Sequence, residues 1–149
     1  MGIEERTIAA AQDFAAFDED ALLVVLGKQE KEIEKDPSLA ADPTLNPAYD
    51  STQMGIADLK ALGARILSRW NKELHRLVCQ AGDDVERKRL LDALNLGEAA
   101  AIAAVASLLL AIAPAAVAAP AAALIVKRFL EPAKEELCAA WSEMIELEA

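Results

Sequence analysis

The sequence predicts an all-α fold, a compact bundle of five or six helices around an uncharged, Ala-rich helical hairpin at about 97–130. Three observations lead there. Ala, Leu, Glu and Lys are abundant while Gly and Pro number six each, a balance that favours helix. Apolar residues recur every three or four positions and nowhere alternate as a half-buried strand requires. Ala99–Val126 carries no charged side chain over 28 positions, although 27% of the chain is charged, so this run must be hidden in a bundle or a bilayer. A chain of 149 residues can bury one core, and 1–149 reads as a single domain.

Residues 1–35 form acidic N-terminal helices. Ile8, Ala11, Phe14 and Ala15 mark one face of a first helix over Ile3–Phe17. Asp18 is placed to cap a second helix at about 19–35, because its carboxylate can accept the orphan amides of the first turn. That helix begins with Leu22, Val25 and Leu26 and ends in the polar KQEKEIEK, read as solvated. Residues 36–50 are a loop: Pro37, Pro43 and Pro47 each follow Asp or Asn and bar a helix, leaving Leu39, Leu45 or Tyr49 to pin it.

Residues 51–94 hold Arg-containing amphipathic helices. Leu59, Leu62, Ile66, Trp70, Leu74 and Leu77 form one stripe of a helix over Ser51–Ala81. Gly82 then supplies a stop and Asp83 the cap of a short helix ending at Leu94. Gly55 and Gly63 are expected to ease contact between helices. Within the apolar run, one helix is expected at about 97–113. A tip at Ala115–Ala119 follows, bracketed by Pro114 and Pro120, with Pro120 in the first turn of the next helix. Pro132 would kink that helix before an amphipathic C-terminal helix in 131–149, with Leu137, Trp141, Met144 and Ile145 inward.

Charge and motifs narrow the function. A net charge of −10 argues against binding a phosphate backbone. The start MGIEER lacks a signal-peptide pattern, and Arg6 stands where myristoylation needs Ser or Thr. With that start, Cys79 and Cys138 are expected to be free, buried thiols. The expected location is the cytoplasm, free or against the inner face of a membrane.

His75 and Cys79 sit four apart on one helix, but zinc wants four ligands and this is the one His in the chain. Glu73 and His75, two apart, lie on different helix faces, unlike the Glu-x-x-His pairs of di-iron bundles. There is no phosphate loop, nucleophile elbow or paired-Cys signature. The expectation is a non-enzymatic protein with no cofactor, no metal and no small-molecule substrate.

Two candidate surfaces remain. Ile102, Val105, Leu109 and Ile112 form a bulky stripe which, with Pro114, Val117 and Pro120 at the expected tip, makes the hairpin a membrane or interface element. Ala99, Ala103, Ala106 and Ala113 lie on its other faces, where small side chains let helices approach. An exposed PAAVAAP tip would be an apolar knob of the kind that marks an interaction site. Arg87, Lys88 and Arg89 before the run balance Lys127, Arg128 and Lys134 after it, which suits a hairpin better than a single span.

Arg65, Arg69, Lys72 and Arg76 form a basic stripe that can meet anionic lipid or an acidic partner, or pair with the acidic first half of the chain. The leading expectation is helix-mediated self-association or binding to a protein partner. The alternative is a membrane-active or pore-forming effector that inserts 99–126 into a bilayer. In architecture alone, an uncharged Ala-rich hairpin wrapped by amphipathic helices resembles soluble pore-forming bundles of the colicin type.

Overall fold

The computed structural model describes residues 2–48, 54–80, 84–133 and 136–148. Among them there is no strand, and the chain forms α1 (Ile3–Phe14), α2 (Glu19–Lys35), α3 (Ile56–His75), α4 (Asp84–Leu96), α5 (Glu98–Leu110), α6 (Ala115–Ile125) and a C-terminal helix (Leu137–Glu148). These are seven helices against the five or six expected. α3 runs on into a π-turn, Arg76–Gln80, and α6 into another, Val126–Leu130, followed by the short turn Glu131–Ala133. Tyr49, the first residues of the expected third helix, the Gly82–Asp83 stop and cap, and Lys134 lie outside the described residues.

Local chemistry explains the N-terminal elements. Asp18 caps α2 as expected, accepting from the Ala21 amide at 2.7 Å. α1 ends at Phe14, earlier than expected, and the freed carbonyls of Ala15 and Phe17 accept hydrogen bonds from the Lys127 ammonium. The first cation after the apolar run is thereby used to close the first helix. The Pro-rich loop contains a 3-10 turn at Pro37–Ala41, opened by Asp36, whose carboxylate accepts from the Ser38 amide.

The apolar run departs from expectation at Ala111–Ala119. α5 stops at Leu110, and the turn Ala111–Pro114 is closed by backbone bonds such as Ala113 N–H to Leu109 C=O. Pro114 disfavours helix at Ala113, while its own extended backbone caps α6. The residues expected to form the tip, Ala115–Ala119, are therefore helical, and every residue of α6 is buried. α6 is the centre of the bundle, with α1, α2, α3 and α5 packed on it.

Pro120 consequently lies in the interior of α6, not in its first turn. Without an amide it leaves the Ala116 carbonyl short of its usual donor, in the least hydrated part of the molecule. Gln29 of α2 fills the gap: its Nε2 donates to the Ala116 carbonyl at 2.8 Å and to the Leu45 carbonyl at 2.7 Å. One fully buried amide thus serves the core helix and pins the Pro-rich loop. The KQEKEIEK segment is accordingly not wholly solvated. Next to it Lys28 reaches Asn46 at 2.9 Å, and partial burial holds its ammonium below the usual lysine range.

α2 and α3 pack antiparallel through two reciprocal glycines. A Cβ built on Gly27 would lie 2.3 Å from the Leu59 carbonyl oxygen, and one on Gly63 would lie 1.9 Å from that of Leu23. Gly63 eases helix contact as expected, whereas Gly55 begins α3 and a Cβ there would meet nothing nearer than 3.8 Å. The close approach also turns α3. Its fully buried line runs through Leu59, Gly63, Leu67, Asn71, Leu74 and Val78, leaving Leu62, Ile66, Trp70 and Leu77 as a half-buried shoulder.

Backbone atoms cannot step aside as side chains do. Gly27→Ala and Gly63→Ala should each cost about 3 kcal/mol or more, the upper end of overpacking penalties, in urea denaturation. A loss below about 1 kcal/mol for either would contradict this helix contact.

Candidate interaction surface

Among the described residues, α4 carries two large and strongly exposed apolar side chains. Its inner face holds Leu90 and Ala93, with Leu91 and Leu94 half-buried. Its outer face carries Val85, Arg89, Asp92 and Leu96 at steps of four, three and four, hence within one narrow stripe, with Lys88 on its flank. Val85 is 71% exposed and Leu96 81%. α4 exposes them because Leu90 and Ala93 fix its rotation, and residues 85 and 96 fall on the far side.

This stripe forms one wall of a groove of about 630 Å³. The floor is built of small side chains from α5, namely Ala100, Ala103, Ala104 and Ser107, and the far wall is Glu4 and Ile8 of α1. α5 presents alanines there because its bulky stripe turns inward: Ile102, Val105 and Leu109 are wholly buried. Of the other hairpin candidates, Val117 and Pro120 are buried in α6, Ile112 is half-buried in the turn, and Pro114 is exposed. Five of the seven hairpin candidates are therefore buried, Ile112 and Pro114 stay at the surface, and α4 adds Val85 and Leu96 as exposed apolar side chains.

The basic stripe Arg65, Arg69, Lys72 and Arg76 is exposed along α3. Arg76 pairs with Glu73 on its own helix, and the Arg69 guanidinium lies 4.5 Å over the Trp70 ring. Ion pairs from the acidic front end go elsewhere, Asp20 to Lys60 at 3.3 Å and Glu19 to Arg128 at 4.0 Å. These are solvated contacts of small energetic weight.

The other polar cluster holds the C-terminal helix in place. Trp141 is fully buried and donates from its indole Nε1 to Asn71 Oδ1 at 2.7 Å, and the His75 ring meets it edge-on at 5.1 Å. His75 Nε2 lies 3.4 Å from the Cys138 carbonyl oxygen. Cys79 and Cys138 are not free thiols but a disulfide, their Cα atoms 5.7 Å apart. Cys79 lies in a π-turn and Cys138 in the first turn of a helix 59 residues later, a proximity that spacing alone does not reveal.

The pairing has two consequences. With both sulfurs bonded to each other, neither is available as the thiolate a His75–Cys79–Cys138 metal site would need. It also removes the cysteine-based reason for placing the chain in the cytoplasm, since disulfides persist in oxidising settings. No group of three metal-ligating side chains occurs among the described residues, and none of the described helices is long and apolar enough to cross a membrane.

The surface and fold together define an all-helical arrangement with a buried alanine-rich core helix and an apolar groove between α1, α4 and α5. Comparison with protein-family models, curated proteins and solved structures finds no match to this chain.

Reducing the disulfide should lower stability by about 2–4 kcal/mol, because it closes a long loop of the unfolded chain. Urea unfolding with and without reductant measures this. Two reactive thiols in denatured, unreduced protein would contradict the pairing.

Proposed function

We propose that this chain is a non-enzymatic helical protein that works by association through the α1–α4–α5 groove, with copies of itself in the first instance. The observation that carries the reading is the exposure of Leu96 and Val85 beside a floor of small side chains. Large apolar groups left in water next to a groove usually mark a contact surface. Alanine and serine at the floor let a helix backbone come close and lay its side chains between them. The cluster at His75 supports no chemistry in competition, since its polar groups hydrogen-bond or stack on each other to dock the C-terminal helix.

The second reading is insertion of the 99–126 hairpin into a bilayer, and one observation favours it: a helix as apolar as α6 lies wholly inside a sheath of amphipathic helices. Geometry weighs against it. At 1.5 Å per residue, α5 and α6 are about 20 and 17 Å long, short of a hydrocarbon core of about 30 Å. Insertion would also strip Gln29 from Ala116. The Arg65–Arg76 stripe offers a surface for an acidic partner under either reading. The disulfide favours an oxidising compartment over the cytoplasm.

Sedimentation across low-micromolar to near-millimolar concentration tests the first reading. Wild type should self-associate, and Leu96→Glu should raise the dissociation constant at least about tenfold with helicity unchanged, as expected for one leucine lost from a contact. A monomer at every concentration contradicts it. Flotation with anionic liposomes, with dye release, would point to the second reading instead.

A further inference from the structure

We infer that the occupant of the groove is a second copy of this chain, with the two α4 helices antiparallel across a two-fold axis; this deepens the self-association reading and rests on it. The outer stripe of α4 is self-complementary in that arrangement and in no parallel one. Residues pair across such an axis symmetrically about one point, and midway between 90 and 91 that point serves the whole stripe. It sets Val85 opposite the partner's Leu96 and Arg89 opposite the partner's Asp92, and by symmetry the reverse pairs form too. A parallel pairing would instead set Arg89 against Arg89 and Asp92 against Asp92.

Charge is compatible with this surface and favours this direction. The chain carries −10 overall, so two copies repel at most approaches. α4 is neutral by sequence, with Arg87, Lys88 and Arg89 offsetting Asp84, Glu86 and Asp92, so this helix adds little to that repulsion when it faces its copy. Because the contact is isologous, it closes at two copies and does not propagate into a filament.

A charge exchange tests the register. All four positions of the stripe are exposed, so the variants should keep their helicity, which circular dichroism checks. Arg89→Asp and Asp92→Arg, each placing like charges at two symmetric sites, should each weaken the dimer about tenfold in sedimentation. The double variant, which restores opposite charges in the antiparallel register, should return to within about threefold of wild type. If wild type dimerises and the single variants dimerise equally well, another surface makes the contact; the α4 pairing is then overturned while self-association stands. Weak singles without recovery in the double variant overturn the register. A wild-type chain that stays monomeric throughout overturns both.

Discussion

A proline inside a wholly buried helix sets the central problem of this molecule. Pro120 leaves the Ala116 carbonyl without its helical donor where no solvent can replace it. An unpaired carbonyl there would cost about 1–3 kcal/mol. Gln29 answers with one of its two N–H groups and spends the other on Leu45. Since both neighbours are carbonyl oxygens, the amide orientation is forced, and its Oε1 is buried with no hydrogen-bond partner among the described residues. This single side chain thus ties α2 to both α6 and the Pro-rich loop.

The rest of the bundle is arranged around that docking. Once α2 is fixed on α6, α3 reaches the core only by lying close to α2, and the reciprocal glycines Gly27 and Gly63 make this possible. α3 in turn carries Asn71, His75 and Cys79, which hold the C-terminal helix by a hydrogen bond, a ring contact and a disulfide. α5 packs its bulky stripe inward and its alanines outward, and this leaves the shallow floor beneath α4. The apolar groove is thus a consequence of how the core is filled, and its exposed leucine and valine are what packing left over.

How much of this was legible in the residues depends on the range of the interaction. Asp18 caps α2 through an amide three residues away, and a local rule finds it. The Ala99–Val126 run had to be hidden, and in α6 it is. Pro120 departs from the first-turn expectation because the donor that excuses it, Gln29, lies 87 residues from the Ala116 carbonyl it serves, within a segment that reads as polar. The disulfide escaped for the same reason. The α4 surface carried a weak signal: Val85 and Leu96 share a face with Arg89 and Asp92, out of phase with Leu90 and Ala93.

The claim that α6 is a permanent core helix held by Gln29 is tested most directly by a double-mutant cycle in urea denaturation. Gln29→Leu alone should cost about 2–4 kcal/mol, having left the buried Ala116 carbonyl and the partly buried Leu45 carbonyl without this donor. Pro120→Ala returns an amide to Ala116, so in that background the same change should cost about 1–2 kcal/mol less. Equal costs in the two backgrounds would mean that the Gln29–Ala116 hydrogen bond does not answer the proline, and the account of the core would be wrong.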